Sequence, residues 1–280
     1  MESYRAGDLT FDVTDAGPPD GEIIVLLHGF PETRASWSDV IPHLTEAGYR
    51  VLAPDQRGYS PGARPRGRRA YRLDYLADDI IALADAAGAE KVHVVGHDWG
   101  AGVAWAVAAD HPDRVHSVTS MATPHPRAMV RAIATSSQSL KSWYMVLFQL
   151  PFLPELSFGP AQASMRRSLR KSGLLDDRID DYFAVLTQPG AATGALNWYR
   201  ALPFGPQPMT GTILVPALYI YGTSDFALGR TAADLTARYV AGPYRYEVLD
   251  GVSHWIPEEV PETVAELVID HARRYGGHAG

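Results

Sequence analysis

The sequence predicts an α/β protein with a mostly parallel sheet and helices on both faces. Short apolar runs of strand length alternate with runs of helix length, and this rhythm is typical of parallel strands joined by helical crossovers. The chain has 280 residues, of which 46% are hydrophobic and 20% charged, so it can bury a large core. Two stretches have this rhythm, and a stretch without it separates them.

The first stretch begins near Glu22. Ile23 to Leu27 is apolar throughout, as expected for a strand that is buried on both faces. Gly48 and Gly88 mark the ends of two of the following helices. We predict further strands over 49–53, 92–95 and 115–121, and helices from about 36 to 47, 74 to 87 and 100 to 109.

Residues 124–211 interrupt this rhythm. They have a mostly helical pattern, many aromatic side chains and repeated prolines, and they contain no strand of the core type. The sheet pattern then resumes, with predicted strands over 217–221 and 245–249 and predicted helices from about 230 to 239 and 258 to 275. We therefore predict a core formed by 1–123 and 212–280, with 124–211 inserted as a helical cap.

Composition excludes several classes of protein. The net charge is −7, and the dense basic stretch over 64–69 lies among Gly and Pro, so it is interpreted as a solvated loop and no nucleic-acid partner is expected. The chain has no cysteine, hence no disulfide framework and no thiolate metal site. The N-terminus has no apolar signal region, and no apolar run reaches the length of a membrane span. We expect a cytoplasmic protein without a membrane partner.

One motif places an aspartate at the end of the predicted strand 92–95. Gly96-His97-Asp98-Trp99-Gly100 lies between a strand and a helix, which is the setting of a nucleophile elbow, a sharp turn that exposes its middle side chain. Glycines on both sides tolerate such a turn. A helix-capping aspartate is the alternative, but a cap does not need the two glycines. Asp98 is therefore the candidate nucleophile.

A second motif, Gly58-Tyr59-Ser60-Pro61-Gly62, literally matches the pattern of serine esterases. Its context is against that role. The residue after a nucleophile lends its backbone N–H to the oxyanion hole, and Pro61 has no N–H. The segment that follows is rich in Arg, Gly and Pro and has no helical pattern. We therefore reject a serine nucleophile at this position.

Three other strand ends supply partners for the aspartate. The loop His28-Gly-Phe-Pro-Glu32 follows the first apolar strand, and the backbone N–H groups of Phe30 and Trp99 can form an oxyanion hole. Asp225 follows the first strand after the insertion, and His254 follows the last strand. Ligands bind beyond the carboxyl ends of such strands, so these groups are expected to meet there. Nucleophile, acid and then histidine is the hydrolase chain order.

Together, these motifs resemble the α/β-hydrolase-fold epoxide hydrolases over nearly the whole chain. In that family two tyrosines of the cap hold the epoxide oxygen. The segment 197–200, Asn-Trp-Tyr-Arg, resembles one family motif and implies Tyr199, whereas Trp-Tyr ahead of Phe-Gln at 148–149 implies Tyr144. The resemblance also implies substrate contacts from four aromatic residues: Phe30, Trp99, Trp143 and Trp198.

The resemblance implies hydrolysis of an epoxide to a vicinal diol, with no metal or organic cofactor. Asp98 would open the ring and form an ester while the two tyrosines donate hydrogen bonds to the departing oxygen. Water activated by His254, which Asp225 orients, would then release the diol. An aspartate suits this task because a serine would leave an ether that activated water does not readily cleave. The aromatic cap favours a small apolar epoxide.

Two other functions stay open. Haloalkane and haloacid dehalogenases use the same kind of aspartate nucleophile, but many haloalkane dehalogenases have Asn at the position of Phe30, and fluoroacetate dehalogenases typically have Arg where Trp99 stands. A non-catalytic small-molecule receptor on this fold is the second alternative, and the retained nucleophile, base and acid argue against it. The sequence leaves the oligomeric state open, and a homodimer is compatible with it.

Overall fold

The molecule is built around one eight-stranded sheet. The computed structural model describes residues 1–205 and 210–277, so residues 206–209 of the predicted insertion and the last three residues lie outside the description. The strands are β1 (Ser3–Ala6), β2 (Leu9–Ala16), β3 (Ile23–Leu27), β4 (Arg50–Pro54), β5 (Val92–His97), β6 (Val115–Met121), β7 (Ala217–Gly222) and β8 (Tyr244–Leu249).

The sheet is mostly parallel, as predicted. Its strand order is β1-β2-β4-β3-β5-β6-β7-β8, and every pair from β4 to β8 is parallel. The antiparallel strands β1 and β2 at one edge were not predicted, because they precede the first continuous apolar run and alternate exposed with buried residues. The six predicted strands all form, each within two residues of the predicted ends.

Each face of the sheet has its own core. In β3, Val25 and Leu27 point into one hydrophobic cluster, and Ile24 and Leu26 point into the other. Helices α2 (Leu73–Ala86) and α3 (Trp99–Asp110) cover the first face. Helices α1 (Ile41–Glu46) and α12 (Pro261–Tyr275) cover the second. The strand ends therefore project from a sheet that is packed on both sides.

Three of the predicted helices are interrupted. The helix predicted over 36–47 is a 3-10 turn at Arg34–Trp37 followed by α1, which begins next to a proline. The helix predicted over 258–275 is α11 (Ile256–Glu259) and then α12, because Pro261 cannot continue the hydrogen bonding of the preceding helix. The helix predicted over 230–239 is α10 (Arg230–Leu235) with a 3-10 extension to Tyr239.

Between β6 and β7, residues 123–205 form helices and no strand. The α-helices are α4 (Pro126–Thr135), α5 (Gln138–Lys141), α6 (Trp143–Leu147), α7 (Gln162–Lys171), α8 (Asp176–Leu186) and α9 (Ala191–Ala201). We refer to them as the inserted helices. In the described ranges, no helix combines the length and apolar character that a bilayer crossing requires.

Candidate active site

Asp98 sits on a strained turn between β5 and α3. Its φ of 48° and ψ of −119° lie outside the usual regions for a residue with a side chain. Two glycines allow the turn. A Cβ on Gly100 would lie 2.1 Å from the carbonyl oxygen of Leu27, and a Cβ on Gly96 would lie 2.3 Å from the carbonyl oxygen of Gly100. Only glycine fits at both positions, so the flanking residues of the motif make this turn possible.

The three predicted polar partners come together at the carboxyl ends of their strands. The His254 Nδ1 atom lies 2.8 Å from a carboxylate oxygen of Asp225, and its Nε2 atom lies 3.5 Å from Oδ2 of Asp98. Asp225 and His254 are buried, and Asp98 faces a cavity. The histidine is therefore placed between two carboxylates, with one ring nitrogen toward each.

This arrangement favours an ion pair in the free protein. Burial opposes the positive charge of His254, but the Asp225 and Asp98 carboxylates outweigh it and hold the pKa of His254 well above 6.5. Burial likewise opposes the charge on Asp98, yet its hydrogen bond to His254 and the positive charge there lower its pKa below 3.8. The free protein thus holds an imidazolium next to an ionised aspartate.

The loop after β7 holds the Asp225 side chain in place. Its Oδ1 atom accepts hydrogen bonds from the backbone N–H groups of Ala227 at 2.7 Å and Leu228 at 2.8 Å. Its other oxygen is bonded to His254, so both carboxylate oxygens are used. Burial works against the charge of Asp225, but these partners keep its pKa below 3.8.

A second set of contacts holds the same loop from the inserted helices. The Lys141 ammonium group donates to the carbonyl oxygens of Asp225 at 2.8 Å and Leu228 at 3.3 Å. The buried Gln138 amide donates to the Ala227 carbonyl and accepts from the Gly229 N–H, each at 2.8 Å. Helix α5 therefore anchors the loop that carries Asp225. No sequence motif indicated Gln138 or Lys141, because they lie 84 to 91 positions from their partners.

The predicted oxyanion donors flank the nucleophile. The Phe30 N–H donates to Oδ1 of Asp98 at 2.9 Å. Trp99 is the first residue of α3, so its N–H has no acceptor within its own helix. The Phe30 N–H is thus bonded to the nucleophile and the Trp99 N–H follows Asp98 at the start of α3, and their joint role as an oxyanion hole stays a prediction.

Tyr144 on α6 and Tyr199 on α9 bring two side chains of the inserted helices to the cavities at Asp98. Their ring centroids are 6.2 Å apart with the planes at 78°, and both tyrosines line the two cavities that contain Asp98. Burial is the largest cause that raises the pKa of each hydroxyl well above 10, and the Asp98 charge adds to it. Both hydroxyls are therefore protonated donors at neutral pH.

Two cavities meet at Asp98, Tyr144 and Tyr199. The larger measures about 580 Å³ and extends past His254 between α6 and α7. The smaller measures about 180 Å³, and mainly apolar side chains of α4 and neighbouring loops, including Met129 and Ile133, line it. The site can therefore receive apolar groups on two sides of the carboxylate.

The four predicted substrate-contact residues divide between these cavities and other places. Phe30 lines the larger cavity and Trp99 the smaller one. Trp143 lies at the rim of the larger cavity and is largely exposed. Trp198 lines neither of them, because its indole N–H donates to the carbonyl oxygen of Arg57 at 2.8 Å. A substrate contact from Trp198 stays a prediction, and its ring packs edge-on against Trp99 with the ring centroids 5.9 Å apart.

A buried acid–histidine pair lies behind the site. His97 Nδ1 lies 2.7 Å from Oε1 of Glu32, and His97 Nε2 lies 2.7 Å from the carbonyl oxygen of His254. Burial opposes charge on His97, but Glu32 raises its pKa above 6.5. Both ring nitrogens face oxygen atoms, which the imidazolium satisfies as a double donor. No sequence pattern indicated the pairing of His97 with Glu32.

Ser60 of the serine motif takes no part in this site. Its hydroxyl donates to the carbonyl oxygen of Asp55 at 2.7 Å and accepts from the Asp12 N–H at 2.9 Å. It is fully buried. The serine ties β2 to the loop after β4, in keeping with its rejection as a nucleophile. Over 1–205 and 210–277, no group of three or more His, Asp or Glu side chains has the arrangement of a metal site.

Comparisons with known proteins agree with this geometry. Residues 22–261 match the model of a protein family that is described as having the alpha/beta hydrolase fold. The chain is 39% identical over 274 residues to the AB hydrolase superfamily protein YfhM of Bacillus subtilis, covering 95% of each chain. It is 35% identical to epoxide hydrolase A of Mycobacterium tuberculosis, covering 92% of each. The crystal structure of epoxide hydrolase A from Mycobacterium thermoresistibile matches with a TM-score of 0.85 at 32% identity, covering 97% of each chain.

The chain therefore belongs to the α/β-hydrolase family and, within it, to the epoxide hydrolases. The predicted fold and the resemblance of the motifs are confirmed by matches that span nearly the whole chain. The protein is an enzyme of this kind.

Proposed function

We propose that this enzyme hydrolyses an epoxide to a vicinal diol through a covalent ester on Asp98. The observation that supports the proposal is that Tyr144 and Tyr199 line the same two cavities as Asp98, whose carboxylate lies 3.5 Å from Nε2 of His254. Residues 124–211 are proposed to act as the cap that supplies the tyrosines. A cytoplasmic location and a homodimer stay predictions from the sequence.

In the first half-reaction the Asp98 carboxylate attacks one ring carbon and the C–O bond of that carbon breaks. Tyr144 and Tyr199 donate hydrogen bonds to the departing oxygen. These bonds stabilise the alkoxide that develops as the C–O bond breaks. Their protonated state at neutral pH supports this role. The alkoxide takes up a proton and becomes the first hydroxyl group of the product.

Ester formation changes the charge around His254. Asp98 loses its negative charge when it becomes an ester, so one of the two carboxylates that raise the His254 pKa is removed. The proton that His254 held in the free enzyme becomes available to the alkoxide, through the tyrosines. His254 is then a neutral base, which is the form that the second half-reaction needs.

In the second half-reaction His254 takes a proton from water, and the water oxygen attacks the carbonyl carbon of the Asp98 ester. The N–H groups of Phe30 and Trp99 stabilise the oxyanion. The intermediate collapses, the ester C–O bond on the acyl side breaks, and the second hydroxyl leaves with the proton from His254. The diol keeps the original Asp98 oxygen, and one oxygen of water remains on the enzyme.

A single turnover in heavy-oxygen water tests this mechanism. With enzyme in excess over a terminal or aryl epoxide, we expect an unlabelled diol and label in the peptide that contains Asp98. A labelled diol with an unlabelled enzyme would mean that water attacks the epoxide directly, and the ester mechanism would then be wrong.

A panel of epoxides and halogenated substrates distinguishes this proposal from the dehalogenase alternative. Trp99 would have to offer its indole to a halide, but that ring packs edge-on against Tyr199 with centroids 4.8 Å apart. Phe30, which also packs against Tyr199, has no side-chain amide that could donate to a halide. We therefore expect diol from epoxides and no halide release from haloalkanes or fluoroacetate. Halide release without diol would transfer the assignment to the dehalogenases, and neither product would favour the receptor.

A further inference from the structure

Charge is distributed unevenly between the inserted helices and the rest of the chain. Residues 126–175 carry seven basic side chains and one acidic side chain, although the whole chain has a net charge of −7. The one acid, Glu155, is paired with Arg200. This part of the insertion is therefore basic on an acidic protein, although the Lys141 ammonium is bound to two backbone carbonyl oxygens.

The same segment exposes most of the large apolar side chains. Of the fifteen exposed ones among the described residues, ten lie within 126–175. Leu140, Trp143, Val146 and Leu150 are spaced three, three and four residues apart, which places them on one side of consecutive helical turns. Their side chains are 76%, 64%, 74% and 44% exposed. Apolar stripes of this kind mark interaction surfaces.

This stripe borders the mouth of the larger cavity. Leu140 and Trp143 line that cavity from α5 and α6, and Met165 and Ser168 line it from α7. The apolar stripe and α7 thus stand on two sides of the opening. We call the stripe and the outer flank of α7 the rim.

The bases of α7 divide between two flanks of the helix. Arg166 and Arg170 form ion pairs with Asp180 and Asp176 at the beginning of α8. At 100° per residue, Arg167 and Lys171 lie about 100° further round the helix than that pair. Both are exposed, and neither forms an ion pair within the described residues. Their charges are free to act on a partner.

We propose that the rim docks onto an anionic lipid surface. Exposed Trp, Leu and Val side chains next to unpaired Lys and Arg are the combination that binds the interface of an anionic bilayer. A second copy of this chain fits less well, because a two-fold contact through the rim would bring the same basic side chains together. Docking needs no spanning helix, and it places the cavity mouth at the surface into which apolar epoxides partition.

Vesicle binding of the full chain tests the proposal without any turnover. The probes are phosphatidylcholine vesicles with and without about a third of phosphatidylglycerol. We expect binding to the anionic vesicles, and at least about tenfold weaker binding for Arg167→Glu with Lys171→Glu. The control is Lys91→Glu with Arg273→Glu, which changes the net charge equally near the amino ends of the parallel strands and should bind as wild type does.

Apolar variants give the second arm. Val146→Ser with Leu150→Ser should weaken binding to anionic vesicles several-fold, whereas Leu214→Ser with Val248→Ser should not. The proposal would be overturned if the protein bound no vesicles. It would also be overturned if it bound both kinds of vesicle equally and the rim variants did not change that binding. Self-association that is lost in the rim variants, without vesicle binding, would assign the rim to a dimer instead. Turnover of a water-soluble epoxide should be equal in all these variants, so the result stands apart from the proposed chemistry.

Discussion

The two sides of the active site are built in different ways. On the core side, Asp98, Asp225 and His254 follow strands of a sheet that is packed on both faces, and each has fixed hydrogen-bond partners. On the other side, Tyr144 and Tyr199 come from α6 and α9 of the insertion between β6 and β7. Helix α6 is only five residues long. In the proposed mechanism the core therefore supplies the nucleophile for ring opening and the groups for ester hydrolysis, whereas the insertion supplies the two donors to the departing oxygen.

The sharpest separation of the two sides comes from the base. In His254→Gln the core can no longer activate water, but ring opening by Asp98 does not need that base. We expect turnover to fall by about 10⁴-fold or more while the ester accumulates. Intact-protein mass should rise by one substrate mass, and peptide mapping should place the adduct on Asp98.

His111→Gln is the matched control. His111 is half-buried at the end of α3, and its Nε2 atom lies 3.3 Å from Oδ1 of Asp78. This variant should turn over as wild type does and show no adduct. A His254→Gln protein that keeps turning over, or that carries no adduct, would remove His254 from the second half-reaction.

The insertion side is tested by Tyr199→Phe. The hydroxyl acts only on the departing oxygen, so ring opening should slow by about 10² to 10⁴-fold, with Tyr144 limiting the loss. Hydrolysis of a preformed ester should change little. Stopped-flow single turnovers separate the two rates, and Tyr75→Phe on the exposed side of α2 serves as the control. Unchanged ring opening in Tyr199→Phe would move the donor role elsewhere.

What the sequence could predict follows the same division. The elbow at Asp98 is readable because its glycines are local and their spacing has a steric reason. The order of Asp98, Asp225 and His254 follows from strand ends, since parallel strands bring their carboxyl ends to one edge. The role of the two tyrosines could be predicted only from a family resemblance, because an aromatic residue on a helix ordinarily packs in a hydrophobic core.

Other parts could not be predicted from local patterns. The Glu32–His97 pair and the anchoring of Asp225 by Lys141 join residues that are distant in the chain, and no spacing rule connects them. The hydrogen bond from the Trp198 indole to the carbonyl oxygen of Arg57 likewise joins residues that are 141 positions apart. Strands β1 and β2 were missed because an exposed edge carries no continuous apolar run.

The pH dependence of the two half-reactions should also differ. The pKa of Asp98 lies below 3.8, because its hydrogen bond to His254 and the nearby charge outweigh burial, so ring opening should be flat between about pH 5 and 8. Ester hydrolysis needs neutral His254, and its rate should fall by about tenfold per pH unit below the pKa that His254 has in the ester. Parallel pH profiles of the two rates would break the assignment of His254 to one step.

The smallest expected effect tests the contact between the two sides. Lys141→Met removes the two hydrogen bonds that α5 makes to the carbonyl oxygens of Asp225 and Leu228. The loop then loses part of its support, so Asp225 orients His254 less well. We expect ester hydrolysis to slow by about three- to tenfold, with ring opening within about twofold because it does not use the base.

Lys141→Arg should restore most of the hydrolysis rate, because a guanidinium group can reach the same carbonyl oxygens. Lys91→Met, at the opposite ends of the strands, should leave both rates unchanged. A general loss of stability would lower both rates together and would move the unfolding midpoint, whereas lost positioning raises the steady-state fraction of ester at an unchanged midpoint. If both half-reactions slowed equally in Lys141→Met, the contact would serve the fold and not the orientation of Asp225, and the two sides of the site would act independently.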